Sequence, residues 1–243
     1  MTEQNINFNG LQNNLAGPKK RWYKRWWGIV IIIFGGYVIL TNAIYYYQAA
    51  NNKPVGQVID KNQVTDDKLY LHSEDDPAWG QKSTKVKIVE FADFACPYCY
   101  QSFPVVREIM ERYQDKIYFV YRDFPITTLA GHENAALAAE AGNCAQEQNK
   151  FWPMHDKIFM NQAIMASDDL KRFAKELSLD TQKFNNCLDS HKYQQEVARD
   201  LLDGNDLGVR ATPTFFINGY RIAGSIPREK FMELIEQGLA EGN

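Results

Sequence analysis

Residues 86–99 read VKIVEFADFACPYC, and the fold turns on this stretch. Val86 to Phe94 is β-branched and aromatic, mostly apolar rather than strictly alternating, which predicts a strand buried on both faces. From about Pro97 to Tyr113 the period changes, with Val105, Val106, Ile109, Met110 and Tyr113 recurring at helical spacing. Cys96-Pro97-Tyr98-Cys99 therefore falls where a strand meets a helix. A second strand, KIYFVYRDF over Lys116 to Phe124, follows and is ended by Pro125. Strand, helix and strand of these lengths make one βαβ unit with a parallel sheet.

Working outward, Gly131 to about Asp206 reads as wholly helical. Its pieces are an Ala-rich helix from Glu133 to Gln148, one from Phe151 to Met160, one with Ser167 as N-cap, and two around Thr181 to Leu188 and Tyr193 to Leu202. Thr214 to Ile217 and Tyr220 to Ala223 then flank Asn218-Gly219, the strongest short hairpin signal. A last helix has Pro227 in its first turn and Phe231, Leu234, Ile235 and Leu239 on one face. The order βαβ, helical insert, ββα predicts an α/β, thioredoxin-like fold with a helical domain inserted at about residues 131–207.

On the other side, Gly28 to Tyr47 contains no Asp, Glu, Lys or Arg, and 20 residues of helix cross a bilayer core of about 30 Å. Trp26, Trp27 and Tyr45 to Tyr47 stand where aromatic belts stand, and Lys19, Lys20, Arg21, Lys24 and Arg25 keep the N-terminal side cytoplasmic. The expected organisation is a cytoplasmic tail (1–25), a transmembrane anchor (26–48), a spacer (49–84) with one short strand near Lys68 to Leu71, and a catalytic domain (85–243) outside the cytoplasm, in a periplasm-like space. A cleaved signal peptide is the alternative, although it would put Tyr47 or Gln48 where a small residue is preferred; either reading exports the domain. Beyond residue 27 the chain carries 22 basic against 29 acidic residues, with no basic cluster, which argues against a nucleic-acid partner.

The CPYC segment carries the chemistry. With Cys96 as N-cap and Pro97 as first helical residue, the missing proline N–H costs nothing, and Cys99 returns one turn later on the same face. Unpaired N–H groups and the positive helix end favour a thiolate on Cys96. A CxxC pair is also half of a zinc site, but a zinc ribbon needs a second close-spaced pair, and Cys144 and Cys187 stand alone in helices. No metal and no cofactor are expected.

DDPAWG (75–80), VEFADFACPYC (89–99), Phe151-Trp152 and GVRATPTFFINGYRIAG (208–224) together resemble the DsbA-like family of exported thiol-disulfide oxidoreductases with a thioredoxin fold, over residues 73–240. The resemblance implies that Cys96 is the exposed attacking cysteine and Cys99 the buried resolving one. It implies a cis peptide at Thr212-Pro213, packed against the disulfide, where the Thr212 backbone pairs with an extended substrate. It also places Glu90 beneath Cys99 as a water-linked proton acceptor, a group whose pKa burial would raise; an edge-strand Glu is the bland alternative. Pro97 and Tyr98 would tune the motif and touch substrate.

Four cysteines permit three pairings; with Cys96 and Cys99 as one pair, Cys144 and Cys187 are partners, or else two unpaired buried thiols. His132 reads as a cap or surface group and His155 as structural. The expected activity is disulfide donation to reduced exported proteins, with a membrane partner reoxidising a monomeric, membrane-anchored enzyme. Isomerase or reductase activity is the rival, favoured by Thr212, and a tethered binding or chaperone module is the alternative of another class.

Overall fold

The computed structural model describes residues 34–43, the backbone of 57–59, and residues 76–241. The chain divides into two units, Met1–Lys53 and Pro54–Asn243. In the first, residues 34–43 are helical, with Phe34, Tyr37, Ile39 and Leu40 all more than half exposed. The remainder of the anchor expected at 26–48 lies outside the described residues, as does the strand expected near Lys68 to Leu71; no described helix is long and apolar enough to cross a membrane.

Among the described residues, the second unit has six strands: β1 (Gln57–Ile59), β2 (Ala78–Gly80), β3 (Val86–Ala92), β4 (Ile117–Asp123), β5 (Thr214–Ile217) and β6 (Tyr220–Ala223), in the sheet order β1-β6-β5-β3-β4-β2. β3 and β4 pair in parallel, Val86 against Ile117 through Ala92 against Asp123, and the other pairings are antiparallel. β3 and β4 lie inside the sheet, each with a neighbour on both edges. Their near-continuous apolar sequences follow, because both faces are covered. The segment expected to be a spacer thus contributes β1 and β2, one to each edge of the sheet.

The helices are α1 (Pro97–Arg112), α2 (Ala135–Gln146), α3 (Phe151–Met160), α4 (Ser167–Glu176), α5 (Thr181–Asp189), α6 (Gln194–Asp206) and α7 (Arg228–Glu241). The main core joins Ile88, Phe119, Tyr121 and Phe215 of the sheet to Val106, Ile109 and Met110 of α1, Phe231 and Ile235 of α7, and the apolar faces of α2 to α5. A smaller cluster, Val89, Phe91, Val120, Phe124, Leu207 and Phe216, covers the opposite face. There α6 comes so close that a Cβ at Gly204 would stand 2.6 Å from the Phe124 ring.

α2 is Ala-rich because almost its whole length is buried; Ala138, Ala141 and Ala145 are at 0% exposure. Cys144 of α2 and Cys187 of α5 are joined in a disulfide with Cα atoms 5.9 Å apart. The hairpin turns on Asn218 and Gly219, both at positive φ, as the twist of the two strands requires. Asn218 also docks it on β3, its side-chain oxygen accepting from Lys87 N at 2.8 Å. α4 departs from the expected cap: its N-cap is Ala166, and Ser167 is its first helical residue.

Candidate redox site

β3 ends at Ala92, and the four residues that follow form the turn delivering Cys96 to α1. Asp93 closes that turn twice. Its carbonyl accepts from Cys96 N (3.0 Å) and its Oδ1 from Ala95 N (2.7 Å), an Asx turn of the kind a short carboxylate favours. Cys96 is the N-cap in extended backbone, φ −75° and ψ 123°, with Pro97 in the first turn. The Cys96 carbonyl accepts the first helical bond, from Tyr100 N at 3.1 Å. Cys99 then lies one turn along on the buried face of the helix.

The site is completed by the loop before β5. The Thr212–Pro213 peptide is cis, and the Thr212 carbonyl accepts from Cys96 Sγ at 3.3 Å. Cys99 Sγ accepts from Asp93 N at 3.5 Å. Both thiols are free in this structure. Cys96 was expected to be exposed; it is the more open of the two, but only at 6% against 1% for Cys99. The Thr212 carbonyl and the turn itself cover it. Pro97 and the Tyr98 ring stand in solvent, while the Tyr98 carbonyl accepts from Ser225 Oγ at 3.0 Å.

The two sulfurs differ electrostatically. Cys96 is lowered to about 6, first by a hydrogen bond from the Cys99 thiol, with burial opposing, and then by the Thr212 side chain and the N–H groups of Cys99 and Tyr98. The Thr212 hydroxyl is buried and has no partner among the described residues, and it is one of the groups that favour the charged form of Cys96. Cys99 is pushed well above its ordinary value, mainly by burial, then by the hydrogen bond and charge of Cys96, and in smaller part by Glu90. Glu90 sits on β3 between Tyr121 and Phe215 of the neighbouring strands. It is 4% exposed, not on an open edge, and burial raises it to about 8. One poised thiol, one protonated thiol and one buried carboxyl therefore share this corner of the fold.

Four contributors were not foreseen from the sequence. Asp93 is the turn residue described above. Gln162, after α3, donates through Nε2 to the carbonyls of Phe94 (2.8 Å) and Cys96 (2.9 Å). Ser225 holds Tyr98. His132 corrects its expectation: it is buried rather than a surface group, with Nδ1 2.8 Å from Asp93 Oδ2. An Asx residue just before a helix start was the only local signal, and it pointed to Asp93. His155 lies among Phe94, Tyr121, Phe151, Trp152 and Phe159 with Nδ1 on Asp156 at 2.9 Å, and burial lowers its pKa.

Among the described residues, one acidic group brings carboxylate oxygens within 4.8 Å of one another: Asp76, Glu196 and Asp200. Arg122 provides the cation there, 2.5 Å from Asp200 and 3.5 Å from Asp76, with a further contact to Asp203 at 2.6 Å.

A family model described as Thioredoxin matches residues 72–237, most of the chain and the whole of the site. The chain belongs to the thioredoxin family. This thioredoxin-family chain is also 41% identical over 146 residues to a protein named Na(+)/H(+) antiporter NhaA 3 from Salinispora tropica. That alignment covers 60% of this chain and 22% of the antiporter, so the chain spans about a fifth of that relative's length. Among solved structures, the thiol-disulfide exchange protein alpha-DsbA2 from Wolbachia pipientis superposes with a TM-score of 0.64 at 20% identity, over 73% of this chain and 94% of that one. Oxidised BdbD from Bacillus subtilis superposes with a TM-score of 0.59 at 22% identity, over 78% and 100%. The thioredoxin-like fold is common to all three chains.

Proposed function

We propose that this chain is a membrane-tethered thiol-disulfide oxidoreductase that donates the Cys96–Cys99 disulfide to reduced exported proteins. The observation that carries the proposal is the placement of Cys96, an N-cap thiol lowered to about 6, against the backbone of a cis-proline loop. In the oxidised enzyme a client thiolate attacks Cys96 Sγ, and Cys99 leaves with the electron pair of the broken S–S bond. Glu90, protonated at neutral pH with a pKa of about 8, is the acid that returns a proton to Cys99. A second client thiolate then attacks the client sulfur of the mixed disulfide, and Cys96 departs as a stabilised thiolate. The client is oxidised by two electrons, and the enzyme ends as the dithiol. A membrane partner has to remove those electrons for a second turnover.

The surroundings of Cys96 suit an extended, partly apolar client. The Thr212 backbone offers a strand-pairing edge, Pro97 and Tyr98 are exposed beside it, and Tyr100, Met160, Gln162 and Ile164 line an adjoining cavity of about 450 Å³. A membrane anchor at 26–48 is supported by the exposed apolar side chains of residues 34–40 and by the basic cluster that precedes them. Isomerase or reductase activity is the second reading, kept by the identity of Thr212 before Pro213.

Replacing Cys99 by Ser tests the Cys96 mixed disulfide: the Cys96 thiolate attacks a client disulfide, one client sulfur leaves as a thiolate, and with no Cys99 to resolve it the adduct persists. The variant is expected to accumulate exported proteins joined to Cys96, seen as adducts on non-reducing gels that collapse with dithiothreitol. Adducts that persist when Cys96 is also changed to Ser, or no adducts at all, would refute it.

A further inference from the structure

The redox turn is gripped from the helical insert at two points. Asp93 Oδ1 already closes the turn by accepting from Ala95 N, so Oδ2 is spare, and it faces outward to two groups at 2.8 Å: the N–H of Ile126 and Nδ1 of His132. A carboxylate only accepts, so Nδ1 carries the hydrogen. The Asp93 side chain is at 0% exposure and His132 at 10%. From the other side, Gln162 spends its amide nitrogen on two carbonyls of the same turn, Phe94 and Cys96. A strand, a turn and a helix need neither contact. A buried carboxylate–imidazole pair is also a poor way merely to fill space, because desolvating it opposes what the pairing gains.

Both grips act on the backbone that aims Cys96. The N–H groups of Tyr98 and Cys99 in the first turn of α1 favour its thiolate, and such donors stabilise charge only when they are already pointed at it. We propose that His132, acting through Asp93, and Gln162 are positioning residues for thiol–disulfide exchange, clamping the turn from Asp93 to Cys96 so that the α1 N–H groups converge on the Cys96 sulfur. This assignment rests on Cys96 being the attacking thiol. It makes the insert a fixture of the redox chemistry, with one grip just before α2 and one just after α3.

The test uses the whole chain with His132→Leu, His132→Asn and Gln162→Leu, reading the Cys96 thiolate absorbance against pH and the reduction potential against glutathione. H132L and Q162L are expected to raise the Cys96 midpoint by about one unit, a tenfold loss in the thiolate-to-thiol ratio at a given pH, and to make the pair more reducing. H132N places an amide N–H where Nδ1 stands and is expected to return the midpoint to within about twofold of wild type in that ratio. Should H132L fail to fold, H132N and Q162L still decide the matter. Midpoints and potentials of H132L and Q162L equal to wild type, or an H132N that behaves like H132L, would overturn the proposal. A wild-type chain that exchanges no disulfide would instead overturn the function on which it rests.

Discussion

Titrating the dithiol between pH 4 and 9 ionises one of its two thiols, Cys96, and the structure sets the size of the response. A thiol lowered from 9.0 to about 6 is roughly nine-tenths ionised at pH 7, where an unshifted one is about one-hundredth ionised. Intrinsic nucleophilicity falls with pKa, and a Brønsted slope of about 0.4–0.5 over three units costs about 15- to 30-fold. The net gain in attack at pH 7 is therefore only about three- to sixfold; the larger benefit is as a leaving group. The ionised sulfur stabilises the dithiol by about 1.4 kcal/mol at pH 7, equivalent to about 30 mV toward a more oxidising disulfide. Because the folded pKa is depressed, this contribution is complete above the ordinary thiol value and is lost as pH falls through about 6. Alkylation by iodoacetamide, quenched at intervals and mapped by peptide mass, should reach half its plateau rate near pH 6 at Cys96. Cys99, held well above 9, should stay unmodified over the same range. A Cys96 midpoint of 8.5 or higher, or earlier labelling of Cys99, would refute the electrostatic reasoning.

Replacing Cys144 and Cys187 together by Ser opens a loop with a sequence separation of 43 and should cost about 4 kcal/mol in denaturant unfolding, while leaving the Cys96 midpoint in place; a cost below about 1 kcal/mol would contradict it. Glu90→Gln separates chemistry from stability. The acid's folded pKa, raised to about 8, means that the wild-type fold loses stability as pH rises from 4.5 through 8, so the gap in favour of the Gln variant should widen by on the order of 4 kcal/mol by pH 8. The same variant should slow release of Cys99 from the disulfide by about a hundredfold, measured by stopped-flow with a reduced peptide.

Legibility in the sequence followed the range of the forces involved. The bounds of β5, β6 and α3 match their sequence expectations residue for residue, since an Asn-Gly turn and a strong helical period are local signals. β1 and β2 escaped because strands of three residues are too short to show a period, and their pairing with β6 and β4 is settled by distant partners. The CPYC turn was legible because the N-cap geometry lies within four residues. Its supports were not: Gln162 stands 66 residues from Cys96, His132 stands 39 from Asp93, and their carbonyl and carboxylate partners leave no trace in local composition. Arg122 reads as a polar residue that, with Asp123, ends an apolar strand, yet it anchors β4 to Asp200 and Asp203 of α6.

The most direct measurement is the redox state of Cys96 and Cys99 in living cells, fixed by rapid acid quench and resolved by thiol trapping with a maleimide of large mass. A disulfide donor waiting for clients is held by its partner mainly as the Cys96–Cys99 disulfide, so most of the chain should resist labelling at these two positions until a reductant is added. A pair found mostly as the dithiol would contradict disulfide donation and assign the same site to reduction or isomerisation.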